Sequence, residues 1–187
     1  MTLMAKDRFE QLFDTTVAEP LCKEGFRRAG KSLWCRSNLA VVALIRLGGR
    51  MTQPGAISHL ICCRMSFMRD RTEAVPGGFS PSPFDYPFKI LPTAFSNNLR
   101  YSPQNLRYDY DRLIFQSREE AAVRRDLTQL ASIMLEGILP WSANLTVSSV
   151  QDQLRGLGQG AWCEKIWIED CERHIANSHD QEGAPTS

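Results

Sequence analysis

The chain has 187 residues, 43% of them apolar and 23% charged, a balance that suits one folded domain and argues against both disorder and a membrane span. Twenty-two basic against twenty-one acidic residues leave a formal charge of +1, so no global field draws the protein to nucleic acid or an anionic membrane. Six cysteines sit inside apolar patterns, and the opening "MTLMAKDRFEQLFD" has neither an apolar core nor a cleavage site; reduced, mostly buried thiols and a cytoplasmic location are expected.

Phe9, Leu12, Phe13, Val17 and Leu21 recur at helical spacing and predict an amphipathic first helix. Pro20 should kink it or open a second short turn, and Gly25 should end it. Residues 26–36 and 39–47 then read as two antiparallel strands about a turn at Ser37 and Asn38, the second apolar on both faces and so central. Residues 48–56 hold three glycines and a proline and form a loop. A third strand follows at 57–67, giving a meander.

From 69 to 105 the pattern changes. Six of the ten prolines fall here (Pro76, Pro81, Pro83, Pro87, Pro92, Pro103), interleaved with Phe79, Phe84, Tyr86, Phe88, Phe95 and Tyr101. Loops longer than about 12–15 residues are usually functional or disordered, and the aromatics argue against disorder. Residues 106–115 alternate Leu106, Tyr108 and Tyr110 with Arg107, Asp109 and Asp111, a fourth strand. Ser117 and Glu120 have the spacing of a capping box ahead of a helix whose stripe is Leu127, Leu130, Ala131, Met134, Leu135 and Ile138, stopping at Pro140. A shorter helix should start near Thr146 or Ser148 and close at "GLGQG" (156–160). A last one puts Cys163, Ile166, Trp167, Cys171, His174 and Ile175 on one side. These elements predict an α+β fold: a single domain over 1–178, with an antiparallel meander of about four to six strands packed by N-terminal and C-terminal helices, a long insertion at 69–105, and a disordered tail at 179–187.

The stretch "ISHLICCRMSF" (57–67) is the densest in reactive side chains. As a strand it puts Ile57, His59, Ile61, Cys63, Met65 and Phe67 on one face and Ser58, Leu60, Cys62, Arg64 and Ser66 on the other. His59 and Cys63 then stand about 13 Å apart, too far for a nucleophile and its base or for a shared metal. The remaining enzyme reading makes Cys62 or Cys63 a nucleophile with a distant base, His174. Cys163, Cys171, His174 and His179 look faintly like zinc ligands, but Cys163 and Cys171 lie about 12 Å apart along a helix, so no metal and no cofactor are expected. "GLGQG" closes a helix instead of opening one, unlike a phosphate loop. Asp109 and Asp111 share a strand face about 7 Å apart, either solvated or facing a basic partner. Lys23, Arg27, Arg28, Lys31 and Arg36, with Trp34 among them, suit an RNA contact or a charged sheet edge.

"AEPLCKEGFRRAGKSLWCR" carries Pro20, Leu21, Lys23, Gly25, Phe26, Arg27, Arg28, Gly30, Trp34 and Arg36 in an order that resembles the opening signature of an uncharacterised bacterial family, domain of unknown function 4304. The likeness spans most of the chain and is specific in the first forty residues. Small α+β domains of this kind often accompany bacterial toxins as immunity proteins, so the resemblance implies a protein partner and supplies no catalytic residues. The expected function is therefore non-catalytic protein binding through Phe79, Phe84, Tyr86 and Phe88 with Asp109 and Asp111. A cysteine-dependent enzyme and an RNA-binding module are the alternatives. No membrane partner is expected, and the sequence leaves the oligomeric state open.

Overall fold

The computed structural model describes residues 4–47, 55–72, 74–75, 78–90, 92, 112–116, 118–156 and 162–182. The chain opens with α1 (Lys6–Phe13), where Phe9, Leu12 and Phe13 are buried, and passes through a wider π-helical turn, Asp14–Ala18, into α2 (Glu19–Lys23). Pro20 occupies the second position of α2. Its ring has no amide hydrogen and crowds the carbonyl one turn back, and the π turn just before it relieves that conflict without breaking the helix. The same solution recurs later. α3 (Glu120–Ser132) continues through a π turn, Ile133–Ile138, into α4 (Leu139–Ala143) with Pro140 second, so the helix expected to stop at Pro140 runs on to Ala143.

Gly25 ends α2 in a left-handed conformation (φ +89°), with Phe26 N–H donating to the Leu21 carbonyl at 3.1 Å and Gly25 N–H to that of Cys22 at 3.2 Å. This Schellman closure turns the buried Phe26 into the core and starts the sheet. Residues 26–36, expected as one strand, are instead a hairpin: β1 (Arg27–Ala29) and β2 (Ser32–Ser37) fold about Gly30, whose φ of +59° sets the turn. Asn38 (φ +53°) and Leu39 connect to β3 (Ala40–Leu47), with Ser37 opposite Ala40. β4 (Ala56–Met65) follows, then β5 (Phe88–Ile90) and β6 (Arg112–Ile114).

Among the described residues the sheet is six-stranded and antiparallel, a β1-β2-β3-β4-β5 meander with β6 also on β4. β5 pairs with Ile61–Cys63 and β6 with Ala56–Ser58, so the two short strands share one edge of β4. Of the strand expected at 106–115, residues 106–111 lie outside the described residues, as do 48–54 of the preceding loop and 157–160 of "GLGQG".

All ten residues of β4 are buried because both faces of the sheet are covered. On one face Val42, Leu44, Ile57, Ile61, Cys63 and Met65 pack under Phe9, Leu12, Val123, Leu127 and Met134 from the helices. On the other, Val41, Ala43, Ile45, Leu60 and Cys62 form a smaller core closed by Tyr86, with Trp34 and Phe79 against it. α3 begins at Glu120 with Glu119 in the capping position, so the anticipated box fails; Ser117 lies outside the described residues, and the Glu120 carboxylate takes Arg8 and Arg124 instead. Those two guanidiniums hold it down to about 2.

α5 (Val147–Gly156) starts where Thr146 and Ser149 exchange side-chain bonds with each other's amides. α6 (Trp162–Glu182) runs past Ser178 and carries the buried Asp170, which accepts from Arg69 N at 2.8 Å and Arg69 Nε at 2.7 Å. Trp167 Nε1 donates to the Arg69 carbonyl at 3.0 Å, so α6 grips the chain as it leaves β4. Among the described residues no single helix is long and apolar enough to cross a membrane.

Candidate interaction site

β4 scatters its reactive groups, as a pleated strand must. Cys62 and Cys63 are fully buried in different cores, and burial pushes both thiols far above their ordinary range. A thiol that cannot ionise is a poor nucleophile. His59 lies flat on Phe13 (ring centroids 5.0 Å apart, interplanar angle 5°) and accepts from Arg46 Nε at 3.3 Å. Burial, reinforced by Arg46, lowers it to about 3, so the imidazole is neutral. His174 stacks on Phe67 at 4.2 Å. The alternative enzyme of Cys62, Cys63 and His174 thus finds its thiols sealed in the sheet and its base on an aromatic ring. Cys171 is buried and pushed up to about 12 by desolvation and by Asp170 and Glu172. No group of three or more His, Cys, Asp or Glu side chains among the described residues is arranged to hold a metal.

The basic hairpin is largely occupied by its own fold. A cavity of about 250 Å³ between α1 and β1–β3 is lined by Glu10, Asp14, Arg28, Lys31 and Arg46. Glu10 accepts from Lys31 Nζ at 2.7 Å and from Arg46 Nη1 at 2.6 Å, and Arg28 pairs with Asp14 at 2.9 Å. Burial works against the Glu10 carboxylate, but Lys31 and Arg46 outweigh it and hold its pKa below the usual range. Arg27 lies over Trp34 at 5.7 Å, and Arg36 donates to Ser66 at 3.0 Å. Charges engaged in this way have less to offer a phosphate backbone.

The segment between β4 and β5 is built differently. Arg64, fully buried beneath it, donates to the carbonyls of Met68 (3.2 Å) and Gly78 and lies 5.5 Å from the Tyr86 ring centre. The Tyr86 hydroxyl accepts from Ser80 N and donates to Ser80 O, both at 3.1 Å. Asp85 is buried and accepts from Ser80 Oγ and, at 3.1 Å, from Arg71 Nε. Ser82 caps a single 3-10 turn, Pro83–Asp85, by accepting from Phe84 N. A buried cation, an inward carboxylate and a capped turn therefore fix a loop that the proline content alone would leave undefined.

The four aromatics expected at a partner surface separate on this frame. Tyr86 and Phe88 are core residues, at 0% and 2% exposure, and Phe88 meets Trp141 edge-on at 6.1 Å. Phe79 packs against Trp34 at 6.3 Å and is half-buried. These three cap the sheet; apolar area that can cover a core is more stable there than in water. Phe84 alone of the four is in the open, 55% exposed, with Arg71 at 5.3 Å and Lys89 at 5.8 Å from its ring centre. Asp109 and Asp111 lie outside the described residues. Arg71 and Lys89 were not singled out from sequence, because nothing local signals that residues 13 and 5 positions from Phe84 meet it.

No protein-family model matches the chain, and neither a curated protein nor a solved structure matches it.

Proposed function

We propose that the protein is a non-catalytic binding module for another protein, with Phe84 as its anchor. The observation that carries this is Phe84 itself: a large ring held in water on a turn whose neighbours are all tied down. Interface anchors are commonly aromatic, flanked by Arg, and already rigid before binding, which spares the ordering cost of association. The finer reading, a cytoplasmic bacterial immunity protein that neutralises a toxin, rests on the N-terminal resemblance. Gly25 and Gly30 of that signature have evident structural roles, ending α2 and turning the β1–β2 hairpin.

The test is recovery of partners from the native host with the wild-type chain and with Phe84→Ala, read by mass spectrometry alongside a thermal melt. Loss of a reproducible partner at unchanged stability supports the proposal. Retention of every partner by a folded Phe84→Ala sinks it.

A further inference from the structure

We infer that α6 is the clasp that holds the Phe84 turn in shape: Trp167, Asp170 and His174 fix residues 67–69, and Arg69 so held places Arg71 for the bonds that frame Phe84. This rests on the protein-binding reading above and adds the residues that position its anchor.

Trp167, Asp170 and His174 follow one another at helical spacing along a single face of α6. Each takes a different part of the chain leaving β4. His174 lies flat on Phe67, ring centroids 4.2 Å apart. Asp170, buried, accepts from Arg69 N at 2.8 Å and Arg69 Nε at 2.7 Å, and the Trp167 indole donates to the Arg69 carbonyl at 3.0 Å. Backbone polar groups away from water need partners, and here both of those on Arg69 are met by side chains of a helix distant in sequence.

Arg71 stands two residues further on, a reach of about 7 Å at most. The slack between is small. Asp70 N donates to the Ala74 carbonyl at 2.7 Å, and Asp70 Oδ1 accepts from Thr72 N at 2.7 Å and Ala74 N at 3.2 Å. Arg71 then donates through Nε to Asp85 at 3.1 Å and through Nη2 to Ser82 at 3.0 Å, the two residues that bracket Pro83 and Phe84. Ser82 in turn accepts from Phe84 N. Contacts therefore run unbroken from α6 to the turn, and coupling between separated sites travels through contiguous networks of this kind. Arg64 holds the same segment from beneath, at Met68 and Gly78, so the clasp and the buried cation can be loosened separately.

The experiment is hydrogen exchange read by mass spectrometry on the full chain, comparing wild type with Asp170→Ala, Trp167→Phe and Val123→Ala, the last a core truncation in α3. Peptides covering 69–72 and 78–87 should exchange about tenfold faster or more in Asp170→Ala, the factor implied by losing a bond to a charged group, while peptides from α1 and β3 keep wild-type rates. Trp167→Phe should give a smaller rise in the same peptides. Asp170→Asn keeps an acceptor for Arg69 N and should restore part of the protection. Val123→Ala should not single out the loop. Unchanged exchange at 78–87 in Asp170→Ala overturns the inference, as does a rise there that only follows α1 and β3. If Asp170→Ala fails to fold, Asp170→Asn and Trp167→Phe carry the same comparison. Capture of the native partner separates the two proposals. Capture lost in Phe84→Ala but kept by a loosened Asp170→Ala overturns α6 as the positioning element and leaves protein binding standing; capture lost in both supports both. Capture unchanged in Phe84→Ala removes the binding reading, and the exchange rates then judge the clasp alone.

Discussion

Arg46 and His59 face each other across β3 and β4, with Arg46 Nε donating to His59 Nε2 at 3.3 Å beneath Phe13. The bond requires an unprotonated Nε2, so acid must break it.

Burial and Arg46 lower His59 to about 3, against about 6.5 for an ordinary histidine. Between those values the unfolded chain binds a proton that the folded chain refuses, so stability is whole above about pH 6.5 and falls as pH drops toward 3. Going from pH 7 to pH 5 should cost about 1–2 kcal/mol, a window above the depressed carboxylates Glu10 and Glu120. Urea titrations at the two pH values measure it. His59→Gln should flatten the dependence, and a wild-type midpoint indifferent to pH would contradict the buried neutral imidazole.

Cys62 and Cys63, sealed in separate cores with raised pKa values, should resist alkylation until the sheet opens. Intact mass after brief iodoacetamide treatment should show neither site modified in buffer and both modified in guanidinium. Fast native labelling of either residue would revive a thiol-based enzyme.

Arg64 is the fastener of the β4–β5 segment. Arg64→Met keeps much of the apolar stem but strands the carbonyls of Met68 and Gly78, and should cost about 2–4 kcal/mol, since bonds to charged donors are worth about 1.5–3 kcal/mol each. Limited proteolysis should then cut between residues 66 and 87 in the variant well before the wild type. Identical digestion patterns would show that other bonds suffice.

Phe84 and Tyr86, two residues apart, should behave oppositely. Phe84→Ala removes an exposed ring and should shift stability by no more than about 0.5 kcal/mol. Tyr86→Ala empties the middle of the smaller core and should cost about 3–5 kcal/mol. Comparable losses at both positions would mean that Phe84 is also structural.

Much of the fold was legible because apolar period and burial coincide. Phe9, Leu12 and Phe13 marked α1, and the alternation of 57–65 assigned the two faces of β4 correctly. Signals that depend on backbone dihedrals are less visible: Gly30 falls inside a strand pattern although its positive φ makes a turn, and Pro140 has the look of a terminator although a π turn absorbs it. The site was the least legible. Tyr86, Phe88 and Phe84 are similar letters in one proline-rich run, and what sorts them inward or outward is the long-range fastening by Arg64 and Arg71, which no local pattern encodes. Asp170 was hidden for the same reason, since its partner Arg69 is distant in sequence.

The shared edge of β4 limits what else can pair with the sheet. Ile90 pairs with Ile61 and Arg112 with Ser58, so the stretch joining them leaves and rejoins the sheet at points about 10 Å apart along a single strand. Ser58 and Ile61–Cys63 consequently have a neighbouring strand on either side, β3 on one and β6 or β5 on the other, which closes those backbone positions to edge-to-edge pairing with another molecule.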